Sequence, residues 1–135
     1  MMELHLKIIG WLLVVLALIH VSFPRYFNWK KELAELELVN RQMMQVHTFF
    51  IALVVFLMGL LCLVISPEEI GSSLGRKVAL GLFVFWFLRL CIQFFWYSPK
   101  LWRGRLFETV AHIVFTMLWI YLCAVFFFLW QAGAD

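Results

Sequence analysis

His47, Arg89, Gln93, Glu108 and His112 stand inside long apolar runs of a 135-residue chain. Ionisable groups are expensive in such runs. A charge at a bilayer centre costs ~2.5–3.5 kcal/mol on insertion scales, so residues of this kind are functional candidates by default. Glu108 and His112 are four residues apart, which puts two ligand-type side chains on one helical face. Together with His47 they make a candidate metal set, and two facing histidines could instead hold a haem iron. Burial and a nearby Arg89 would tune Glu108 and His112 in opposing directions, which is also a proton-handling chemistry. Arg89 and Gln93, again four apart, share a face with Trp86 and Trp96 beside them. His20, Thr48 and Thr116 are weaker members of the same polar set. Thr48 and Thr116 read most simply as helix-to-helix hydrogen-bonding residues. The plain alternative is structural throughout. A histidine near an interface is comfortable there, and an Arg–Glu pair can do no more than fix which helices meet.

No catalytic residue is assigned. Ser22, Ser66, Ser72, Ser73 and Ser98 fall at helix ends or in turns, with no neighbouring base in their sequence context. Neither a Cys-x-x-Cys-His nor a His-Glu-x-x-His pattern is present. Cys62, Cys91 and Cys123 are scattered in apolar runs and read as small packing residues.

The elements that must position these groups follow from composition. The chain is 65% hydrophobic and 14% charged, against about 45–50% and about 25% for an average soluble domain. Lipid must cover part of this surface. Four apolar stretches, roughly 6–23, 43–65, 78–97 and 107–130, each match the ~20 residues that span a hydrocarbon core of ~30 Å. The first is too apolar and too long for a signal peptide and lacks a small-x-small cleavage site. The expected fold is an all-α membrane protein. Its four transmembrane helices form an up-down antiparallel bundle, one domain over residues 1–135, because the connections are short. Pro24 should end helix 1, and Asn28 should cap a new helix. Residues 29–45 then form either a charged extension of helix 2, with Glu37 and Arg41 paired, or an interfacial helix. Ser66-Pro67-Glu68-Glu69 is a helix-start signal.

Arg25, Lys30, Lys31, Arg41, Lys100, Arg103 and Arg105 flank the 1–2 and 3–4 connections, against Lys7, Arg76 and Lys77 on the other side. Basic loops stay in the cytoplasm, so both connections should be cytoplasmic and both termini outside, in a bacterial cytoplasmic membrane. Tyr26, Phe27, Trp29, Trp96, Tyr97 and Trp102 crowd the basic side as an interfacial aromatic belt. A net charge of +3 without a basic, aromatic-interleaved soluble segment argues against nucleic-acid binding. "SFPRYFNWK" and "YSPKLWRGR" are faintly alike, which fits either two related hairpins or, the preferred reading, two independent solutions to one interfacial turn.

On helix 4, Glu108, Thr109, His112, Thr116, Trp119 and Cys123 fall within roughly a 100° arc. On a continuous helix 2, Asn40, Met44, His47, Ile51, Met58 and Cys62 form one stripe. Both should face inward, since lipid penalises a polar face. Helical side chains tilt toward their own N-terminus, so Arg89 should pair with Glu108 as counter-ion, together with Gln93 or His112, rather than reach back to the interface. In size and helix count the chain resembles short four-helix membrane proteins such as the DoxX-like group and the small membrane haem proteins of porphyrin oxidation. The local echo is Phe23-Pro24-Arg25-Tyr26-Phe27, and it assigns no residue a role. Three functions fit. One is a membrane protein binding a cofactor or amphiphilic ligand (haem, metal or quinone-like) in the cytoplasmic half. Another is an accessory or assembly subunit with a membrane-protein partner or a second copy of itself. The third is a small oligomeric transporter or intramembrane enzyme.

Overall fold

The computed structural model describes residues 2–97 and 99–132. It is 90% helical with no strand among the described residues, consistent with an all-α helical bundle. Four helices are long and apolar enough to cross a membrane: α1 (Met2–Tyr26), α3 (Leu38–Val64), α5 (Ser73–Phe95) and α6 (Leu106–Ala132). With 23 to 27 residues each at ~1.5 Å per residue, all exceed the ~30 Å core. Short helices lie between them: α2 (Trp29–Glu32), α4 (Pro67–Gly71), and 3-10 turns at Leu33–Glu35 and Pro99–Leu101.

The chain divides after Ile65 into two compact units, each built on one helical hairpin. In the first, α1 and α3 run antiparallel. Lys7 near the start of α1 donates Nζ to the Leu63 carbonyl at the end of α3, at 2.8 Å. Gly10 and Gly59 form the close approach between them. A Cβ built on Gly59 would sit 2.8 Å from the Gly10 carbonyl oxygen, and one built on Gly10 2.9 Å from the Gly59 oxygen. Small residues that let backbones approach are how helices associate where the hydrophobic effect between them is absent. The second unit repeats the cation device. Arg76 Nε near the start of α5 donates to the Trp130 carbonyl in the last turn of α6, at 3.1 Å. In both hairpins a cation satisfies a carbonyl that the helix end leaves open, where the helix dipole also favours positive charge.

Two expected boundaries differ. Pro24 does not end α1, which continues to Tyr26. In the last turn proline sacrifices only its own bond to the carbonyl four residues back. The reversal comes at Asn28, which takes a left-handed conformation (φ 53°) and makes no side-chain capping bond. Asparagine tolerates that region better than most side chains. Residues 29–35 form a short helix and a 3-10 turn, with Trp29 and Leu33 buried and Lys30, Lys31 and Glu32 exposed. Leu36 and Glu37 are extended (ψ 152° and 147°), so α3 starts only at Leu38. Glu37 and Arg41 are joined through the main chain, Arg41 N to Glu37 O at 3.0 Å. The helix start at Ser66 forms as expected. Ser66 Oγ accepts from Glu69 N at 3.2 Å, and a Glu69 carboxylate oxygen accepts from Ser66 N at 2.9 Å.

The glycine contact makes a measurable claim. Gly59→Val should destabilise the protein in mild detergent by about 1–3 kcal/mol, the usual cost of overpacking. Gly81, with nothing within 4 Å of its notional Cβ, should accept alanine with no loss. Thermal unfolding of the two variants side by side decides this, and equal midpoints would refute the close-contact account.

Candidate functional site

The polar residues fall into two sets, one in each hairpin, at the end carrying the basic connection. In the second hairpin the centre is Gln93, which is 7% exposed and is the buried polar side chain of α5. Its Nε2 donates to His112 Nδ1 at 2.9 Å, with longer approaches of 3.4 Å to the His112 carbonyl and to Thr116 Oγ1. Thr116 Oγ1 donates to the His112 carbonyl at 2.7 Å. Accepting at Nδ1, the neutral His112 ring carries its proton on Nε2. Trp102, from the connection, stacks on the imidazole at 4.7 Å and 17°. Thr109 Oγ1 donates to the Trp102 carbonyl and ties that connection to α6. Gly104, at φ 78°, makes the turn that lets Trp102 fold back.

Beside this clasp lies an aromatic stack. Trp86 and Trp119 are parallel at 5.1 Å and 13°, and Phe115 extends the stack at 5.8 Å from Trp119. The indole N–H groups of both tryptophans are buried without a hydrogen-bond partner among the described residues. Arg89 is half-buried against this stack, its Cζ 5.0 Å from the Trp119 ring centre and 5.4 Å from that of Tyr97. Its one hydrogen bond among the described residues is long, from Nη1 to Gln93 Oε1 at 3.4 Å.

The Arg89–Glu108 ion pair expected from the sequence does not form. Arg89 reaches along α5 toward Gln93 and Tyr97, held over aromatic faces by cation–π attraction. Glu108 instead occupies the first turn of α6, where the helix dipole favours a carboxylate without a cation. The expected α6 arc is otherwise recovered: Thr109, His112, Thr116 and Trp119 all take part in the clasp or the stack. Trp86 belongs to the stack, whereas Trp96 is 81% exposed and stands outside it. Ser98 lies outside the described residues.

In the first hairpin the expected α3 stripe gives way to another. The inward residues are Ala52, Val55, Gly59 and Cys62, while Met44, His47 and Ile51 are exposed. The stripe shifts because α3 follows its glycine contact with α1. His47 Nδ1 bonds the Met43 carbonyl at 2.8 Å, and Thr48 Oγ1 donates to the Met44 carbonyl at 2.8 Å. His20 Nδ1 similarly bonds the Leu16 carbonyl at 2.8 Å. A carbonyl only accepts, so both rings donate at Nδ1 and keep Nε2 free. An open groove of about 180 Å³ is lined by His20, Pro24, Trp29, Gln45, Thr48 and Phe49. Pro24 cannot donate to the His20 carbonyl, which adds an acceptor there. Among the described residues no three His, Cys, Asp or Glu come together as a metal set. Within the second hairpin, Glu108 and His112 share a face without a third ligand-type neighbour.

Sequence reasoning missed Tyr97, Trp102, Gln45 and Trp29. The first two and Trp29 read as interfacial aromatics, and a loop residue's partner cannot be obtained from helical spacing. The hydroxyl of Thr109 and the glycine at 104 were the available signs that the connection folds back. No protein-family model, curated protein or solved structure matches the chain.

The clasp should behave as a coupled unit. His112→Ala leaves the buried Gln93 amide unpaired, at an expected cost of about 1–3 kcal/mol. A double-mutant cycle with Gln93→Leu should return a coupling of about 0.5–3 kcal/mol. Additive losses in detergent unfolding would mean that the two side chains do not support one another.

Proposed function

We propose that the protein is a multi-pass integral membrane protein that binds a small amphiphilic ligand through Arg89 on its second hairpin. Four helices long and apolar enough to span a bilayer support the membrane placement. The observation that carries the ligand reading is the state of Arg89: a half-buried guanidinium with, among the described residues, no carboxylate partner and a single long hydrogen bond. A guanidinium offers five N–H donors and keeps its charge at any accessible pH. Stacked rings relieve part of its cost, and an acceptor on a bound molecule would satisfy its remaining donors. Trp119 and Tyr97 wall that position, and Gln93 orients the guanidinium. A metal is less well supported, because its candidate ligands His47, Glu108 and His112 form no such set among the described residues.

The bias of basic residues supports cytoplasmic connections and outside termini. Two of the cations at the opposite ends, Lys7 and Arg76, are bound to helix-end carbonyls, so their placement follows from capping as much as from topology. The second reading, an accessory subunit whose polar cluster only fixes packing, is favoured by the completeness of the Gln93–His112–Thr116 network.

Mass spectrometry of an organic extract from protein purified in mild detergent, with an absorption spectrum alongside, separates the two. Wild type should carry an acceptor-bearing amphiphile that is depleted at least ten-fold in folded Arg89→Gln. An unchanged extract would leave the accessory-subunit reading. An intense visible band that shifts on reduction would assign the ligand as haem.

A further inference from the structure

We infer that the amphiphile held at Arg89 is an anion, with a carboxylate or phosphate headgroup at the guanidinium and its hydrocarbon chain on the outer face of α5. The inference rests on the ligand-binding reading above and narrows its chemistry.

Three observations converge on it. The first is donor excess. Among the described residues, the Arg89 guanidinium makes one long bond to Gln93, and the indole N–H groups of Trp86 and Trp119 behind it are buried and unpaired. The amide nitrogen of Gln93 is already engaged by His112. The buried indoles offer a ligand no donor, so the open N–H groups are those of the guanidinium itself, set against aromatic faces with Gln93 Oε1 the acceptor in contact. The second is uncompensated charge. Glu108, the acidic residue of α6's first turn, makes no ion pair with Arg89, so a neutral ligand would leave the positive charge as it is whereas an anion would cancel it. Arginine's planar fork also matches a carboxylate or phosphate through two parallel bonds.

The third is the surface around it. Residues three and four apart on a helix are neighbours, and those beside Arg89 on its open side are Phe85 and Ile92. Each is 42% exposed. An acyl chain laid on this ridge would touch apolar side chains along its length. Arg89 lies six residues before the end of α5 at Phe95, about 9 Å at 1.5 Å per residue. Its side chain turns toward that end, where Tyr97 receives it. A headgroup there would lie just inside the interface, within reach of a lipid in the surrounding leaflet.

The test uses the full chain in a neutral detergent and three probes: oleate, phosphatidylglycerol and decyl-ubiquinone, the last a neutral carbonyl amphiphile. Binding is read by native mass spectrometry and by tryptophan fluorescence titration. Oleate, phosphatidylglycerol or both should bind wild type at least ten-fold more tightly than Arg89→Gln. Arg89→Lys should fall between them, and Arg103→Gln, in the exposed connection, should match wild type. Preference for oleate would indicate a free fatty acid as the natural source, and preference for phosphatidylglycerol a membrane lipid. Binding of decyl-ubiquinone alone, lost in Arg89→Gln, would overturn the anion inference and keep the ligand reading. Anion binding equal in Arg89→Gln, or equally weakened in Arg103→Gln, would overturn the inference as non-specific attraction. No binding of any probe would overturn both. Circular dichroism and unfolding of each variant confirm that the comparison is between folded proteins.

Discussion

Most polar side chains inside the apolar helices described find a partner within their own hairpin, the indole N–H groups of Trp86 and Trp119 being exceptions, and the structure is organised around that demand. In hydrocarbon an unsatisfied N–H or C=O costs several kcal/mol. Threonine and histidine side chains therefore turn back to the carbonyl four residues earlier, as His20, His47, Thr48 and Thr116 all do. The glutamine of α5 finds a histidine on α6. The cations near the starts of α1 and α5 are drawn to the open carbonyls at the ends of α3 and α6. The antiparallel pairing in each hairpin thus satisfies both chain ends at once, because it sets the beginning of one helix beside the end of the next.

The two hairpins meet the same demand with different materials. In the first, Gly10 and Gly59 bring the backbones together, and the polar side chains are left to their own helix. In the second, bulky rings stack between the helices, and a hydrogen-bonded clasp lies beside them. Helix association in lipid can be driven by close packing of small residues or by interhelical hydrogen bonds. A glycine seam specifies register by steric fit over a short stretch. A buried amide–imidazole bond specifies it by the cost of leaving either group unpaired.

Helix identity, span and the polar arc of α6 were legible in the sequence because they depend on periodicity and length, which are local. The capping box at Ser66 was legible for the same reason. The rotation of α3 was not: it is set by where Gly59 meets α1, a contact between residues 49 apart in the chain, and a polar stripe through His47 competed poorly with it. The break at Leu36–Glu37 was also hidden, since neither residue is a helix breaker. The burial of Trp29 and Leu33 fixes the chain there instead. Arg89 was found as the sharpest residue and Gln93 as one of its partners, yet its counter-ion was misassigned. Charge pairing is the natural expectation for an isolated arginine, but aromatic faces on α6 and beyond α5 were closer to hand.

That exchange of a carboxylate for rings matters for what the site can do. A buried Arg–Glu pair is self-contained: both charges are cancelled, and removing one partner strands the other. Cation–π contacts hold a guanidinium in position while leaving its net charge and most of its N–H donors unspent. An arginine arranged this way is oriented but not neutralised. It is half-buried at the edge of a hairpin, with Gln93 Oε1 its acceptor over a long bond and His112 Nδ1 already engaged by Gln93. The same clasp that makes the cluster look purely structural takes up His112 Nδ1, an acceptor that could otherwise compete for the Arg89 donors. Structural satisfaction of Gln93 and His112 and chemical availability of Arg89 are two consequences of one arrangement.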